Sequence, residues 1–167
     1  MAGGGGFKIM AGKVKHIPDG WRVVTPYLVV KDAARAIEFY GKVFGAKEVM
    51  RLPGPGGKIG HAEVKIGGEY VMLADEAPEQ GHKSPVTLGG SPVRIHLYVE
   101  DVDAVARRAV EAGAKMLIPV GDQFYGDRSG RIEDPFGHIW IISTHKEDVT
   151  PAEMEKRMEA FFKKQSG

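Results

Sequence analysis

The sequence predicts an α+β protein made of two βαβββ modules with mixed sheets, followed by a C-terminal helix. The first observation behind this prediction is an internal repeat: Asp32 and Asp101 lie 101 − 32 = 69 residues apart, and the same offset joins Gly68 to Gly137. The second is that each copy opens with a strand pattern that leads into a helical one. The third is that three more strand-like segments follow each helix.

Each copy begins with a strand and a capped helix. Residues 27–30 are rich in β-forming side chains, and residues 94–99 alternate between polar and apolar side chains with a period of two. Asp32 and Asp101 follow at the N-cap position, where a carboxylate accepts hydrogen bonds from the first backbone N–H groups of a helix. Apolar residues then recur at helical spacing in both copies, which predicts an amphipathic helix in each.

The strands after each helix are separated by turn sequences. They are predicted at 48–52, 59–66 and 70–74 in the first copy, and at 115–119, 131–133 and 138–144 in the second. Asp134-Pro-Phe-Gly137 forms a turn, because Pro presets the φ of the second turn position and Gly accepts a positive φ. Residues 120–127 are predicted as a loop, and residues 77–91, rich in Gly and Pro, as the linker between the copies.

The modules, residues 24–76 and 93–148, are predicted to form one domain over residues 21–148. Residues 1–20 contain four consecutive glycines, which are costly to order, so a flexible N-terminal arm is expected there. Residues 149–167 begin with a capping box and continue as an amphipathic helix. Its apolar stripe packs either on the sheet of its own chain or on a partner chain.

Composition excludes several classes of function. Lys and Arg number 23 against 22 Asp and Glu, so the net charge of +1 gives no electrostatic reason to expect a nucleic-acid or membrane-surface partner. The absence of cysteine excludes disulfides, thiolate metal sites and cysteine nucleophiles. No apolar run approaches the ~20 residues of a membrane span, and the N-terminus lacks the apolar stretch of a signal peptide. A soluble, cytoplasmic protein is therefore expected.

The residues resemble the vicinal-oxygen-chelate superfamily of glyoxalases, bleomycin-resistance proteins and extradiol dioxygenases. The similarity lies in Asp32-Ala-Ala-Arg-Ala-Ile-Glu-Phe-Tyr40 and in Asp134-Pro-Phe-Gly-His-Ile-Trp140. His61-Ala-Glu63 and Gln123-Phe-Tyr-Gly-Asp-Arg128 are similar to its PhnB-like branch. The resemblance implies two βαβββ modules around an open cup, a small organic molecule as the ligand within it, and a homodimer that often completes the cup.

In metal-dependent members of this superfamily, His, Gln or Glu on the first and last strands of each module hold the ion. The resemblance and the repeat offset place these four positions at Thr25, Met72, Arg94 and Ile141. None of these side chains supplies the imidazole or carboxylate that zinc, nickel or iron needs. We therefore expect no metal cofactor at the family's site.

Candidate ligand-binding residues share the strand faces of those positions or belong to the loop at 121–128. They are Tyr27, Met72, Arg94, His96, Tyr98, Gln123, Tyr125 and Arg128. In the loop, Gln123, Tyr125 and Arg128 can fold over the mouth of the cup, with Arg128 as a bidentate clamp for an anionic ligand. In the alternative interpretation, Asp127 pairs with Arg128 and Phe124 fills the core.

Catalytic and metal-binding alternatives depend on a few side chains. His61 or His96 can act as a general base, since the pKa of histidine lies near working pH. With Glu63 they would also form a two-histidine, one-carboxylate set for a relocated divalent ion, whereas each histidine can equally be hydrogen-bonded within a polar core. Asp75 and Glu76 point in opposite directions at a strand end and are predicted to stabilise a loop or a helix end.

Two functions follow from these residues. The first is a small-molecule binding or sequestering protein without the usual metal site. It is favoured because the four expected ligand positions lack donors. The second is a lyase or isomerase of glyoxalase type, with His61 or His96 as its base.

Overall fold

In the computed structural model, which describes residues 14–165, the chain forms two four-stranded mixed sheets with helices packed on one face of each. The predicted α+β class, with two βαβββ modules and a C-terminal helix, is confirmed. Residues 1–13 of the predicted N-terminal arm lie outside the described residues. No helix within residues 14–165 is long and apolar enough to cross a membrane.

The elements follow the order that the repeat predicts. The first module contains β1 (Tyr27–Val30), α1 (Ala33–Phe44), β2 (Lys47–Pro53), β3 (Ile59–Ile66) and β4 (Glu69–Asp75). A short helix, α2 (Pro85–Leu88), lies in the linker. The second module contains β5 (Arg94–Tyr98), α3 (Val102–Glu111), β6 (Lys115–Asp122), β7 (Asp127–Glu133) and β8 (Ile139–His145), and α4 (Pro151–Gln165) follows it.

Both sheets have the same topology. The strand orders are β1-β4-β3-β2 and β5-β8-β7-β6, and only the first and last strands of each module pair in parallel. The register repeats as well, because Tyr27 lies opposite Met72 in the first sheet as His96 lies opposite Ile141 in the second. The offset of 69 residues therefore holds at the level of strand pairing.

The predicted N-caps form in both helices. The side chain of Asp32 accepts a hydrogen bond from the backbone N–H of Arg35, and that of Asp101 accepts one from Ala104. Helix α1 ends at Gly45, which has the left-handed φ of 68° that a side chain would strain. Each helix is thus fixed at a point where the sequence supplies a specific capping group.

The two modules share one hydrophobic core, and a buried carboxylate, that of Asp134, links them. Tyr40 of α1 donates to Asp134 Oδ2 over 2.8 Å, and Trp140 Nε1 donates to the same oxygen over 2.9 Å. The backbone N–H groups of Phe136 and His138 donate to Asp134 Oδ1, each over 2.9 Å. Burial and the neighbouring carboxylate raise the pKa of Tyr40 well above its usual value, so the hydroxyl stays protonated and remains a donor.

Asp75 and Glu76 anchor local structure, as the sequence predicts. Asp75 accepts the backbone N–H groups that begin α1 and β3, over 2.8 and 2.7 Å. Glu76 Oε2 accepts hydrogen bonds from the Ser84 hydroxyl and from the Thr87 hydroxyl, each over 2.7 Å. It also accepts one from the Ser84 backbone N–H. The hydroxyl of Thr87, and then that of Ser84, lower the pKa of Glu76 to about 2, so it is charged at neutral pH.

The C-terminal helix packs on its own chain. The Thr150 hydroxyl caps it by accepting the backbone N–H of Glu153 over 3.3 Å. Its Phe161 ring lies 5.3 Å from the ring of Phe124, in the turn before β7. The apolar stripe of the C-terminal helix therefore contacts its own chain, which is one of the two packing alternatives that the sequence left open. Phe124 packs against α4 instead of filling the core.

Candidate functional site

Alternation along the strands separates a helix-covered face from a second face, which we call the open face of each sheet. On β3, Ala62 and Val64 are buried under the helices, whereas His61 and Glu63 point the other way. On the second sheet, Ile132, Trp140 and Ile142 are buried on the helical side. The open face of the second sheet carries Arg94, His96 and Tyr98 of β5, Asp127, Ser129, Arg131 and Glu133 of β7, and Ile141, Ser143 and His145 of β8.

The open face of the first sheet holds an imidazole between a phenol and a carboxylate. The Tyr27 hydroxyl lies 3.1 Å from His61 Nδ1, and His61 Nε2 lies 3.4 Å from Glu63 Oε1. Partial burial raises the pKa of Tyr27, which favours its neutral, hydrogen-bonding form. Met72 lies between them in the register, opposite both Tyr27 and Glu63. This arrangement can orient the ring of His61 toward a ligand.

The segment before β1 lies along the same sheet. The Trp21 ring stacks on Tyr70 with centroids 4.0 Å apart, and Arg22 forms a two-pronged ion pair with Glu69. A cavity of about 340 Å³ lies between this segment, from His16 onward, and Met72. The predicted ligand-binding residue Met72 therefore borders a cavity.

The open face of the second sheet contains a hydrogen-bonded chain that ends on His96. The Ser143 hydroxyl donates to Ser129 over 2.8 Å, and His96 Nε2 lies 2.8 Å from the Ser143 oxygen. The Ser143 oxygen therefore lies between the His96 imidazole and the Ser129 hydroxyl. Both serines are buried, whereas His96 is exposed, so the serines fix the imidazole from behind.

An aspartate beneath the same face holds two rings. The Tyr98 hydroxyl donates to Asp127 Oδ2 over 2.8 Å, and the Tyr98 ring stacks on His96 with centroids 4.7 Å apart. His145 Nδ1 lies 2.8 Å from Asp127 Oδ1, and its Nε2 lies 2.9 Å from Asp148. Asp127, and then Asp148, raise the pKa of His145 by hydrogen bonding to its charged form. The His96–Tyr98 stack is thus fixed through both rings.

Arg131 lies in the middle of this face, and no residue in the described range 14–165 forms a hydrogen bond or ion pair with it. In the register it is opposite Ile141 on one side and Ile118 on the other. Its Nε is buried, and it is the one buried side-chain nitrogen or oxygen in residues 14–165 without a hydrogen bond. Arg94, on the first residue of β5, is exposed on the same face.

The predicted loop residues have different positions. Gln123 donates to the backbone oxygen of Gly121, and Tyr125 packs edge-on against Phe124. Arg128 does not reach the open face, which corrects its prediction as an anion clamp. It alternates with Asp127 and therefore lies on the helical side, where Asp103 and Asp122 bind it at 2.7 to 3.1 Å.

These contacts change the interpretation of Arg128. The two carboxylates raise the pKa of Arg128 further above its usual value, so Arg128 stays charged and forms structural ion pairs with Asp103 and Asp122. The predicted local pair of Asp127 and Arg128 is also wrong, because the two side chains point to opposite sides of β7.

The relocated metal set is not assembled within one chain. His61 and Glu63 lie on the first sheet and His96 on the second, and no three His, Cys, Asp or Glu side chains among the described residues come together to hold an ion. At the family's own positions, Met72 and Ile141 occupy the last strands, and Arg94 begins β5. A thioether, an alkyl group and a guanidinium, together with the Thr25 hydroxyl, do not fit a divalent ion.

A large cavity elsewhere offers fewer recognition groups. It has a volume of about 920 Å³ and lies between the end of α1, the end of β5 and the start of α3. Its lining is mainly apolar, and two of its polar side chains already bind backbone groups: Asp101 caps α3, and Arg108 donates to the Val43 oxygen. Of the predicted ligand-binding residues, only Tyr98 borders it.

Sequence reasoning missed Ser129, Ser143, Asp127 and Arg131. Strand β7 begins at Asp127, four residues before the predicted start at 131, because the apparent loop continues into the ladder with β8. The signal was present in the alternation of polar residues at 127, 129, 131 and 133. Gly126 and Gly130 interrupt that pattern and make it resemble a loop.

Comparisons with known proteins agree with this fold. A family model described as the Glyoxalase/Bleomycin resistance protein/Dioxygenase superfamily matches residues 15–142. An uncharacterised protein of Mycobacterium tuberculosis, Rv0887c, is 49% identical over 138 residues, which cover 81% of this chain and 81% of that protein.

Two solved structures extend the comparison. The crystal structure of TioX from Micromonospora sp. ML1 has a TM-score of 0.57 and 30% identity, over 73% of this chain and 97% of TioX. A PhnB protein from Bacillus cereus shares the fold, with a TM-score of 0.59 and 18% identity over 74% of this chain and 99% of its own.

Proposed function

The chain belongs to the Glyoxalase/Bleomycin resistance protein/Dioxygenase superfamily, and on that premise we propose that it binds a small organic molecule on the open faces of its sheets without a metal ion. One observation carries the proposal. The four positions at which metal-dependent members hold their ion are Thr25, Met72, Arg94 and Ile141, and none offers an imidazole or a carboxylate.

The open faces supply other means of recognition. Tyr27 and Tyr98 are 49% and 59% exposed, which is high for aromatic side chains with hydrogen-bonded hydroxyls. Such rings present a large apolar surface whose position is already fixed. The imidazoles of His61 and His96 lie beside them with their orientation set by neighbours. Apolar surface with a few fixed polar groups is typical of small-molecule sites.

A second copy of the chain would enclose these faces. β1 and β5 are the outer strands of their sheets, and an unpaired strand edge favours pairing with another strand. Val24 and Val93, equivalent residues just before these strands, are 82% and 66% exposed. We propose a homodimer in which the two copies cover these edges.

The test is isothermal titration of the full chain with a panel of small aromatic compounds, before and after treatment with EDTA. We expect the compounds that bind to do so with an affinity that EDTA leaves unchanged. Tyr98→Ala should abolish binding, and the control Tyr98→Phe, which keeps the ring, should retain it. Binding that requires added zinc, nickel, manganese or iron would overturn the proposal.

A lyase or isomerase activity of glyoxalase type is the second candidate, and the Tyr27–His61–Glu63 arrangement favours it. A carboxylate beside the imidazole can orient a general base and stabilise its charged form. Turnover should then fall in His61→Asn, and its acid limb should shift in Glu63→Gln. Full turnover in both His61→Asn and His96→Asn would exclude this candidate.

A further inference from the structure

The guanidinium of Arg131 is set apart from the other arginines of the chain. Of the eight others, five have hydrogen-bond partners in the protein: Arg22, Arg51, Arg108, Arg128 and Arg157. The remaining three, Arg35, Arg94 and Arg107, are exposed to solvent. Arg131 is partly buried, and its buried Nε has no partner. Removing such a donor from water without a replacement acceptor costs free energy, and no contact within the described residues compensates for this desolvation.

The acidic groups on the same face are already occupied. Asp127 accepts hydrogen bonds from Tyr98 and His145, and Glu133 lies 3.5 Å from Lys115. No carboxylate of the described chain forms an ion pair with Arg131, although Glu133 lies only two residues away on its strand. The described residues therefore supply no acceptor for Arg131, which leaves its guanidinium available to solvent or to a bound anion.

The neighbours of Arg131 define what such a molecule would resemble. Ile141 separates Arg131 from His96 in the register, and neighbouring strands lie roughly 5 Å apart, so the two side chains are about 10 Å from each other at the backbone. Between them lies an alkyl surface, and beyond it the His96–Tyr98 stack. A small molecule with an anionic end and an apolar or aromatic body fits this sequence of contacts.

We infer that the open face of the second sheet binds the oxyanion of its ligand, a carboxylate or a phosphate-type group, through Arg131. The inference rests on the proposed small-molecule function and adds the chemical class of the ligand. The planar fork of the guanidinium matches two oxygens of either anion at once. The body of the ligand lies over Ile141 against the ring stack, and exposed Arg94 adds positive charge at the edge of the face.

The experiment titrates the full chain with benzoate, phenylphosphonate and the neutral analogue benzamide at low ionic strength, followed by calorimetry. We expect both anions to bind, and Arg131→Gln to weaken them by roughly 10- to 100-fold, the loss of a charge-assisted pair. Arg131→Lys, which keeps the charge but not the fork, should give a smaller loss. Arg107→Gln, the same change at an exposed position of α3, is the matched control and should leave the affinity nearly unchanged.

A stability measurement guards against a folding defect. Because Arg131 lacks a partner, Arg131→Met should unfold at the same or a higher temperature than the wild type. Phenylphosphonate should raise the melting temperature of the wild type and not that of this variant. A marked loss of stability in Arg131→Met would show that the arginine is structural and would overturn the inference.

The outcomes separate this inference from the proposed function. Tighter binding of phenylphosphonate assigns the site to tetrahedral oxyanions, and tighter binding of benzoate assigns it to carboxylates. If benzamide binds as well as the anions and Tyr98→Ala abolishes its binding, the small-molecule function stands and the role of Arg131 is wrong. Equal losses in Arg131→Gln and Arg107→Gln, or no binding of either anion, would also overturn the role of Arg131.

Discussion

We expect the hydrogen bonds to the buried carboxylate of Asp134 to make the two modules unfold cooperatively, and Tyr40→Phe tests this directly. Tyr40 is fully buried and Asp134 is 3% exposed, so water cannot replace the hydrogen bond that the substitution removes. The ring volume is otherwise unchanged, and three of the four donors to Asp134 remain. A hydrogen bond to a charged group contributes about 1.5–3 kcal/mol, and we expect the free energy of unfolding to fall by that amount.

Asp134→Asn should lower the free energy of unfolding by more than Tyr40→Phe does. The amide nitrogen would present its own N–H groups to the Tyr40 hydroxyl and the Trp140 N–H, so one oxygen acceptor is replaced by a donor. Breaking a buried, charged network in this way costs about 3–5 kcal/mol. Urea unfolding at pH 7 measures both variants, with the slope against urea checked for two-state behaviour.

The matched control is Tyr70→Phe. The Tyr70 ring stacks on Trp21 at the surface of the first sheet, and the substitution removes only the hydroxyl. We expect a change of less than about 0.5 kcal/mol, as for surface substitutions in general. If Tyr40→Phe costs no more than this control, or if the two modules unfold in separate transitions, the shared core does not depend on the Asp134 network.

Three further predictions concern charged groups. The folded pKa of Glu76 is about 2, below its ordinary value of 4.5, so the stabilisation it provides is complete above pH 4.5 and is lost as the pH falls toward 2. Glu76→Gln should therefore lower the free energy of unfolding by about 1 kcal/mol at pH 7, after allowance for solvent screening. In urea unfolding, the difference between this variant and the wild type should shrink as the pH is lowered. The pKa of His145 is raised, so its contribution is complete below pH 6.5 and is lost as the pH rises through the folded value; His145→Gln should destabilise the protein more at pH 6 than at pH 9, and equal effects would refute this. Arg128→Gln should leave the affinity for benzoate unchanged in calorimetry, because Arg128 faces α3. A loss of affinity as large as that in Arg131→Gln would instead show that Arg128 contacts the ligand on the open face.

Local signals were sufficient to predict most of the fold. Asp32 and Asp101 cap their helices because an N-cap depends only on residues a few positions away. The roles of Asp75 and Glu76 also followed from local direction along a strand. The repeat then supplied the long-range information, since two copies of one pattern must fold alike.

The site was less predictable because it depends on register between strands. Ser129 and Ser143 belong to different strands, and only their pairing places both behind His96. Arg128 was predicted in a loop over the mouth of the cup because the start of β7 was placed at residue 131, so the alternation of a strand was not applied to it. The missing partner of Arg131 is a property of the whole face, and no spacing in the sequence reveals it.

The central claim, metal-free binding of an organic molecule, is tested most directly on protein purified from its own cells. Native mass spectrometry and elemental analysis of the same sample, with and without EDTA, measure the bound organic mass and the metal content. We predict an organic adduct that survives the chelator, with zinc, nickel, manganese and iron all far below one equivalent per chain. A stoichiometric metal whose removal by EDTA also releases the adduct would contradict this account.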